Sequence, residues 1–390
     1  MKIGIDIRAI GHQRTGDETY TLQLIKSLAR VDKNNTYFLY TSASTDKDID
    51  KIKNLLNIKN KNFKIRSVKS INRFLWTAWS LPQKAKKDKV DILHVQYITP
   101  LFATHNLKII TTIHDISFAR YPQFIDKKDL WLLKLFIPLS LGRADKIIAV
   151  SEFTKQEIVD VYNIKKDKIE VIYNGGVAQE FLEEYSQEKV LRFKEKYDII
   201  KPYLLYLGTL QPRKNIPFLI KAFVQLKKQY KGNKLIDNLE LVLRGSRNGH
   251  NYDQEIDIVL EKINQKNKQI YKQIKFIGYI SNEEAPLVFA GAEVFCFPSM
   301  YEGFGLPLLE AMAMQTPTVV SDIKCFEEIA NSSSLLAKVN NLDDWTSKLY
   351  NILTNKELQD KYIKLGKNRA LNFSWDKNAQ ETVQLYNKIQ

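Results

Sequence analysis

EGFGLPLLE, residues 302–310, follows the apolar run Val294–Phe297 after a short loop. The apolar run is typical of a buried strand. Pro307 favours the first position of a helix, because its fixed φ fits there and its missing N–H leaves no hydrogen bond unmade. This stretch therefore predicts a strand, a loop and a helix that begins at Pro307. A strand followed by a helix is the repeating unit of α/β proteins.

The same alternation of strands and helices covers the rest of the chain. Short runs rich in Ile, Val, Tyr and Phe are separated by longer amphipathic segments such as Thr19–Ala29 and Glu152–Val161. Continuous apolar strands between helices predict a parallel sheet with helices on both faces. The runs predicted as strands in the first half are Ile3–Ile7, Tyr37–Tyr40, Phe63–Val68, Ile92–Val95, Ile109–Ile113, Ile147–Val150 and Ile169–Tyr173. Those in the second half are Tyr203–Leu207, Leu239–Leu243, Ile274–Ile277, Val294–Phe297 and Thr318–Val320.

Two domains follow from the point at which this pattern restarts. A polar, glutamate-rich stretch, Gln179–Lys196, separates the two sets of strands. The sequence predicts an α/β fold of two doubly wound, Rossmann-like domains, residues 1–178 and 179–372, facing across a cleft in which open α/β sheets bind ligands. Residues 373–390, with an amphipathic helix over Asp376–Lys388, are expected to return toward the first domain.

Composition places the chain among ordinary globular proteins. Its 390 residues suffice for two large domains or three small ones, 44% are hydrophobic and 26% are charged. Two cysteines, Cys296 and Cys325, cannot form a disulfide framework, and no apolar leader follows Met1, so a reducing cytoplasm is expected. The longest apolar stretch, Leu130–Leu141, is too short to span a membrane and contains Lys134.

Positive charge is concentrated in the first half. The chain has 59 Lys and Arg against 44 Asp and Glu, a formal net charge of +15, and residues 51–100 alone have 12 basic and 2 acidic side chains. Such a surface attracts nucleic acid, anionic lipid or phosphorylated substrates, or is simply solvated. Arg73–Trp76, Trp79 and the lysines at 84, 86, 87 and 89 have the composition of an interfacial helix. We expect the aromatic side chains to pack in the core and only the lysines to touch lipid.

The loop before the helix at Pro307 has the composition of an anion site. Backbone N–H groups ahead of the helix would point at its positive end, where the dipole favours an anion such as a diphosphate. These groups belong to Phe304, Gly305 and Leu306, and Gly303 and Gly305 would let a ligand approach the backbone. Glu302 lies in the loop and Glu310 is expected in the first helical turn, so both carboxylates can accept hydrogen bonds from sugar or ribose hydroxyls. The alternative is a capped helix with two solvated glutamates.

A second constellation follows the strand Tyr203–Leu207. Its glycine turn leads to Arg213 and Lys214, directly before a predicted helix over Ile216–Phe223. Adjacent Arg and Lys can supply a planar fork and a point charge to one diphosphate, which would neutralise a leaving group without a metal. A solvated turn is the alternative.

Two features of the first domain extend the set of candidates. His114-Asp115 ends a predicted strand, where an imidazole can hydrogen-bond a sugar and the adjacent carboxylate can orient it, although such a histidine is also common as a structural residue. Gly16 precedes the first predicted helix and would let a ligand approach the backbone. The surrounding sequence is not GxGxxG and no P-loop is present, so a dinucleotide fingerprint is absent.

Gly245 and Arg247 follow the predicted strand Leu239–Leu243 in the second domain. They could approach a nucleobase, and a solvated turn is an equally good interpretation.

Together these segments resemble the retaining glycosyltransferases of family 4, whose GT-B fold has two Rossmann-like domains. The resemblance extends over nearly the whole chain, and the spacing of Glu302 and Glu310 matches the acidic signature of that superfamily. The His114-Asp115 pair and FSW at 373–375 are similar to bacterial transferases that move mannose or a related hexose in surface polysaccharide assembly. The other matching segments are IDIR at 5–8, IHDISF at 113–118, SEFTKQEI at 151–158, VIYNG at 171–175, GTLQPRKN at 208–215 and EGFGLPLLE at 302–310.

The resemblance implies a role for each candidate residue. Glu310 would bind the nucleotide ribose, whereas Glu302 and His114 would bind the transferred sugar. The implied ligands of the donor diphosphate are Arg213, Lys214 and the backbone of residues 303–306. Enzymes of this family need neither a metal nor a cofactor, since the nucleotide-sugar is a co-substrate, and preorganised charge would be the main catalytic contribution.

The chain departs from the family at two places. Relatives usually continue after Thr15-Gly16 with a small or apolar residue, a second glycine and a cation, whereas this chain has Asp17-Glu18-Thr19. Two acids there would weaken anion binding, so either the loop points away or the acceptor differs from the usual polyprenyl-linked intermediate. The stretch Asn331–Ser334 also lacks the glycine-aspartate turn that relatives have, which puts ribose or base contacts there in doubt.

The favoured function is transfer of a hexose, with mannose from GDP-mannose preferred, to a glycan or polyprenyl-linked acceptor in surface polysaccharide biosynthesis. The protein would be cytoplasmic, with peripheral contact to an anionic membrane through its basic N-terminal domain. One alternative is the same fold with a UDP-, dTDP- or ADP-sugar donor. Another is a non-catalytic nucleotide-sugar or glycan-binding protein, although all the site residues are intact. Nucleic-acid binding rests on charge alone, and no binding motif supports it.

Overall fold

The computed structural model describes residues 1–11, 16–100, 102–103, 106–249 and 251–389, with the backbone alone at Arg73. These residues form two compact units, each with its own sheet. The first unit consists of Met1–Arg120, Lys127–Gly175 and Phe373–Gln390, and the second of Tyr121–Asp126 and Gly176–Asn372.

The first unit is built on a parallel sheet whose described strands have the order β3-β2-β1-β4-β5-β6-β7. Its strands are rich in isoleucine and valine because the sheet is buried, and Ile3, Ile92 and Ile109 have no exposed surface. The strands are β1 (Lys2–Asp6), β2 (Thr36–Thr41), β3 (Phe63–Ser67), β4 (Ile92–Gln96), β5 (Lys108–Ile113), β6 (Lys146–Ala149) and β7 (Ile169–Val171). The helices are α1 (Gly16–Val31), α2 (Asp46–Leu56), α3 (Arg73–Leu75), a π-helix (Trp76–Ser80), α4 (Leu81–Lys87), α5 (Ser117–Arg120), α6 (Lys127–Arg143), α7 (Glu152–Tyr162) and a 3₁₀ turn (Lys166–Lys168).

The second unit repeats this architecture with a parallel sheet in the order β10-β9-β8-β11-β12-β13. Its strands are β8 (Tyr203–Leu207), β9 (Glu240–Arg244), β10 (Ile274–Phe276), β11 (Val294–Phe297), β12 (Thr318–Ser321) and β13 (Leu335–Ala337). Its helices are α8 (Gln187–Lys196), α9 (Ile216–Gln229), α10 (Lys234–Asn238), α11 (Glu255–Lys266), α12 (Lys268–Lys272), α13 (Ala285–Ala290), α14 (Leu306–Ala313), α15 (Lys324–Ala330), α16 (Leu342–Thr354) and α17 (Lys356–Ala370), with 3₁₀ turns at Pro122–Phe124, Gln179–Leu182 and Pro212–Lys214. The last helix of the chain, α18 (Trp375–Lys388), belongs to the first unit.

The predicted fold class is confirmed in both units. Each sheet is parallel, and each strand order reverses direction beside its first strand, as in doubly wound Rossmann folds. In the second unit the reversal lies between β8 and β11, which pair directly. Ligands of open α/β sheets bind outside the carboxyl ends of the strands at such a reversal.

Two details near EGFGLPLLE differ from the prediction. The helix α14 begins at Leu306, with Gly305 as its N-cap, so Pro307 occupies the second helical position and not the first. Glu310 is consequently in the second turn, whereas the sequence placed it in the first.

Strand β13 was not predicted, because Leu335–Ala337 is only three residues long and follows a polar serine run.

The C-terminal helix returns to the first unit, as predicted. Helix α18 packs against α1, and the Asn378 side-chain amide donates to the Tyr173 carbonyl at 2.7 Å. Gly175 lies against the first residue of α18, so that a Cβ atom at this position would lie 2.2 Å from the Trp375 Cα atom. The VIYNG and FSW segments therefore meet in the structure, and Gly175 is needed because the two backbones approach closely.

The aromatic residues after Arg73 were expected in the core, and this expectation is wrong for most of them. Trp76 is buried and donates its indole N–H to the Val68 carbonyl at 2.8 Å. Phe74 and Trp79 are instead 49% and 54% exposed, and Leu75 beside Phe74 is 38% exposed. None of the helices in the described part of the chain is both long and apolar enough to cross a membrane.

Candidate functional site

The loops after β8 and β11 bring three of the predicted site residues into direct contact. The Lys214 ammonium donates a hydrogen bond to Glu302 Oε1, and Arg213 Nη1 lies 3.3 Å from Glu302 Oε2. Arg213 also donates to the Tyr301 carbonyl at 3.2 Å, and the Ser299 hydroxyl donates to Glu302 Oε1 at 2.8 Å. We call Arg213, Lys214 and Glu302 the cation–carboxylate cluster.

Local structure explains how Arg213 and Lys214 reach Glu302. Pro212 opens a 3₁₀ turn that ends at Asn215, whose φ of 59° is left-handed and starts α9 in a new direction. The Met300 N–H donates to the Arg213 carbonyl at 2.9 Å, so the two loops are joined through their backbones. The cluster follows from β8 and β11 being neighbours in the sheet, although its members lie 88 and 89 residues apart.

Electrostatics in the cluster favour a charged carboxylate. Burial alone would raise the pKa of Glu302, but the charges of Lys214 and Arg213 and the hydrogen bonds from Lys214 and Ser299 outweigh it and hold the pKa below its usual value. The side chains of Lys214 and Glu302 are only 10% and 8% exposed. One carboxylate and two cations give the three side chains of the cluster a net charge of one positive unit. An anionic ligand is therefore favoured there.

Helix α14 begins four residues after Glu302 and presents its positive end to the same loop. Its N-cap, Gly305, has a φ of +93°, and a Cβ atom there would lie 2.9 Å from the Phe326 ring, so both backbone conformation and packing require glycine. Gly303 and Phe304 are buried in this loop, and Leu306 is the first helical residue. Glu310 is buried in the second turn of α14.

Gly245 and Arg247 lie in the loop after β9, and the structure gives each a structural contact. A Cβ atom on Gly245 would lie 2.5 Å from the Gly208 carbonyl, so this glycine allows the β8 and β9 loops to approach. Arg247 forms an ion pair with Asp257 of α11 and lies over the Phe276 ring, with its Cζ atom 5.1 Å from the ring centroid. A contact of either residue with a nucleobase stays a prediction.

His114 directly follows β5 in the first unit. Its Nε2 atom lies 2.8 Å from Gln96 Oε1, and its ring packs edge-on against Tyr20 with the centroids 4.7 Å apart. Burial lowers the pKa of His114, and the nearby carboxylates of Asp17 and Asp115 only partly oppose this effect. The imidazole is therefore neutral at neutral pH. The Asp115 carboxylate accepts from the Ser117 N–H at 2.9 Å, at the start of α5.

A chain of hydrogen bonds determines which nitrogen of His114 carries the proton. The Thr21 hydroxyl donates to the Asp17 carbonyl at 2.7 Å, so its oxygen can only accept from the Gln96 amide nitrogen, 2.6 Å away. The Gln96 oxygen then faces His114 and accepts, which makes Nε2 the protonated nitrogen. Nδ1 of the neutral ring consequently retains its lone pair.

The unusual Asp17-Glu18 pair separates into two roles. Glu18 is buried and accepts from the Gly11 N–H at 2.8 Å, so this carboxylate holds the turn after β1. The Asp17 side chain is 49% exposed and has a carboxylate oxygen 3.9 Å from His114 Nε2. Gly16 is the first residue of α1, and no described atom lies within 4 Å of the place where its Cβ would be. Thr15, which precedes it, lies outside the described residues.

Sequence analysis missed Gln96 and the buried network beside it. His94 bonds to the Thr112 hydroxyl and to the Tyr386 hydroxyl of α18, both at 2.7 Å, and burial lowers its pKa to about 3. Their position in the sequence could have identified them. His94 and Gln96 lie two residues apart at the end of β4, so their side chains share one face of the sheet. Gln96 also pairs in register with Thr112 of β5. Strand ends at one sheet edge place their side chains close together.

The predicted site residues thus divide between the two units. The cation–carboxylate cluster, the 303–306 loop and Glu310 belong to the second unit, and Gly16, His114 and Asp115 to the first. Within the residues that the structure describes, no three His, Cys, Asp or Glu side chains are grouped closely enough to hold a metal ion.

Two protein-family models match the chain. The model described as "Glycosyl transferases group 1" matches residues 187–369, and the model described as "Glycosyltransferase Family 4" matches residues 14–176. The first match includes the cation–carboxylate cluster and Glu310, and the second includes His114.

Individual relatives agree with these models. The chain is 28% identical over 394 residues to the O-antigen chain mannosyltransferase B of Escherichia coli. The alignment covers 99% of each protein. The chain is also 28% identical over 242 residues to the O-antigen chain mannosyltransferase RfbU of Salmonella typhimurium, which covers 62% of this chain and 60% of that protein.

A solved structure supports the fold over the full length. The glycosyltransferase from Rickettsia africae ESF-5 superposes with a TM-score of 0.74 at 21% sequence identity and covers 100% of this chain and 98% of its own. The matched domains and the two parallel Rossmann-like sheets lead to one assignment. The chain belongs to the glycosyl transferases group 1, family 4, a family of retaining, metal-independent hexosyltransferases with the GT-B fold that take a nucleotide-sugar as donor and need no further cofactor.

Proposed function

We propose that the chain transfers mannose from GDP-mannose to a glycan or polyprenyl-linked acceptor in the assembly of a surface polysaccharide. The observation that carries the reaction type is the cation–carboxylate cluster, whose surplus positive charge lies beside the start of α14. Both relatives named above are O-antigen mannosyltransferases, and this supports the choice of sugar and pathway.

The proposed donor site assigns each side chain by its chemistry. Lys214 and Arg213 bind the diphosphate, and the N–H groups at the start of α14 add to the same positive field. Glu302 has a buried carboxylate that accepts from a hydroxyl of the sugar, and Glu310 accepts from the ribose. His114, with its lone pair on Nδ1, contacts a hydroxyl of the transferred sugar, as the family resemblance implies.

The proposed reaction proceeds with retention at the face from which the donor leaves. The bond between the anomeric carbon and the diphosphate oxygen breaks, and the acceptor oxygen forms the new glycosidic bond on the same face. The leaving diphosphate takes the proton of the acceptor hydroxyl, so no separate base is required. The positive cluster stabilises the charge that develops on the leaving group, which is the main way in which such a site lowers the barrier.

Donor turnover without an acceptor tests this proposal. Purified protein is incubated with GDP-, UDP-, dTDP- and ADP-sugars in the presence of EDTA, and release of the nucleoside diphosphate is followed by mass spectrometry. We expect slow hydrolysis of GDP-mannose, loss of that hydrolysis in Lys214→Ala, and retention in Lys221→Ala, which removes an exposed lysine of α9. Hydrolysis of a different donor would overturn the choice of mannose. A failure of every donor to bind in a direct binding measurement would overturn the donor site itself.

A second candidate is a binding protein that holds a nucleotide-sugar without transferring it. The Asp17 carboxylate beside His114 is the observation that favours it, because a negative charge there disfavours an anionic acceptor, which transfer would require. Tight donor binding with no turnover, with or without a glycan acceptor, would support this candidate against the transferase.

A further inference from the structure

The first unit exposes its large hydrophobic side chains in a single region of the chain. Among the residues that the structure describes, every exposed large hydrophobic side chain of this unit lies between residues 71 and 139. The exposed hydrophobic side chains of the second unit are scattered along its sequence. Eight of them form what we call the apolar platform. Its members are Phe74, Leu75, Trp79, Phe102, Trp131, Leu132, Leu135 and Leu139.

Direct contacts join the three segments of the apolar platform. The Phe74 ring packs against Phe136 of α6 with the centroids 5.3 Å apart. The Trp79 ring packs edge-on against Phe102 at 5.7 Å, and the Phe102 N–H donates to the Ala78 carbonyl. The eight side chains therefore belong to one continuous apolar surface. Exposed apolar surfaces of this kind mark interaction sites.

Helix α6 is apolar on two faces, which an ordinary surface helix is not. Ile137 and Leu141 are fully buried against the unit. On the outward side, Trp131, Leu135 and Leu139 follow one another at intervals of four residues and are 65%, 44% and 50% exposed. A helix with both faces apolar is normally covered on both.

Basic side chains flank the apolar platform. The π-helix that carries Trp79 continues directly into α4 with its lysines at 84, 86 and 87, and α6 opens with Lys127 and Lys128. Residues 51–100 have 12 basic against 2 acidic side chains, and α6 has Asp129 as its one acid against four basic residues. Lysine is depleted at protein–protein interfaces, whereas aromatic rings with a lysine rim are typical of segments that lie in the headgroup region of a bilayer.

We propose that the apolar platform docks on the surface of a bilayer that contains anionic phospholipid. The rings and leucines of α6 and of residues 74–79 insert at the boundary of the acyl chains, and the flanking lysines contact headgroup phosphates. This replaces the expectation that only lysines touch lipid. The proposal deepens the proposed function, since a polyprenyl-linked acceptor would be met at such a surface, but its test needs neither donor nor acceptor.

Vesicle sedimentation tests the proposal with the full-length chain. The vesicles consist of phosphatidylcholine alone or of phosphatidylcholine mixed with phosphatidylglycerol. The test variant is Trp131→Ser/Leu135→Ser/Leu139→Ser, which changes only exposed side chains. The matched control is Leu191→Ser/Ile258→Ser/Leu371→Ser, which removes equally exposed side chains from the second unit. Donor binding is measured in parallel, so that loss of membrane binding is distinguished from failure of the proposed function.

We expect the wild type and the control to bind the anionic vesicles, and the test variant to bind them about tenfold or more weakly, because three apolar side chains no longer leave water. Tryptophan emission should shift to the blue and be quenched by brominated lipid, and Trp131→Phe should reduce the quenching. Binding that salt abolishes and that the test variant retains would show that only the lysines touch lipid, and would overturn the proposal. Reversible self-association that the test variant abolishes, without vesicle binding, would identify a second copy of the chain as the occupant and would also overturn it.

Discussion

Glu302 is held between two cations, so its substitution separates binding from turnover. In Glu302→Gln the cluster changes from one surplus positive charge to two, because the carboxylate is lost while Arg213 and Lys214 remain. We expect affinity for GDP to rise and turnover of the donor to fall, since the proposed sugar contact weakens. Isothermal titration with GDP and product analysis measure the two effects.

Lys214→Ala should have the opposite effect on binding. It removes a proposed ligand of the diphosphate and leaves the buried Glu302 carboxylate with one cation, so affinity for GDP should fall about tenfold or more. Equal affinities in wild type, Glu302→Gln and Lys214→Ala would show that the cluster does not bind the nucleotide.

Gln96 is a positioning residue for His114, since its oxygen fixes the proton on Nε2. In Gln96→Glu a full negative charge would face that N–H, so the pKa of His114 should rise from its lowered value. If the neutral ring is the active form, the acidic limb of the pH–rate profile then moves to higher pH. Gln96→Leu, which can neither accept nor add charge, should lower turnover without this shift and without changing GDP affinity. Ring ¹⁵N chemical shifts of labelled histidine report the tautomer, and a wild-type ring protonated on Nδ1 would contradict the assignment.

At the scale of elements, Gly175 allows α18 to begin against the end of the first unit's sheet. Gly175→Ala places a Cβ where the Trp375 backbone lies, so we expect a loss of about 1–3 kcal/mol in the free energy of unfolding. Gly142→Ala is the matched control, because nothing lies within 4 Å of its Cβ position near the end of α6 and alanine is the better helix former. Denaturant unfolding compares the two, and equal stabilities would argue against a close fit of α18 at this glycine.

His94 makes the same region sensitive to acid. Its pKa is lowered from 6.5 to about 3 by burial and by His114, so the unfolded chain binds a proton that the folded chain does not. Stability should therefore be fully present above the unfolded value and should fall as the pH decreases from 6.5 toward 3. Unfolding of the wild type and of His94→Gln across this range measures the effect, and an identical slope in both would show that another group is responsible.

The elements show how far the sequence predicts the structure. Apolar runs such as Val294–Phe297 and Tyr203–Leu207 were located to the residue, because a buried parallel strand needs a continuous apolar run and little else has one. Strand β13 and the turn that holds Glu310 were not, since a three-residue strand and the exact first residue of a helix depend on neighbouring packing.

Contacts between particular side chains were harder to predict from the sequence than the strands and helices. The residue types of the cluster were identified, but their mutual neutralisation was not, because Lys214 and Glu302 meet only through the pairing of β8 and β11. The burial of Trp76 was predicted correctly but the exposure of Trp79 was not, since three positions apart on a π-helix the two side chains face different surroundings.

At the scale of the whole molecule, the proposals predict two separate footprints. The donor should slow amide exchange where β8 and β11 end in the second unit, and a bilayer should slow it on the apolar platform of the first unit. Hydrogen–deuterium exchange over the full chain distinguishes these, because an amide exchanges more slowly where a ligand stabilises the local fold.

GDP should slow exchange in peptides that cover residues 208–215 and 299–310, while peptides that cover residues 71–80 and 127–139 stay unchanged. Vesicles with phosphatidylglycerol should do the reverse, and vesicles of phosphatidylcholine alone should protect the second pair less, because the lysine rim of the apolar platform then has no anionic lipid to contact. In Lys214→Ala the GDP footprint should disappear and the vesicle footprint should persist. Protection of residues 71–80 and 127–139 by GDP alone would mean that the platform responds to the donor and is not simply a membrane-docking surface.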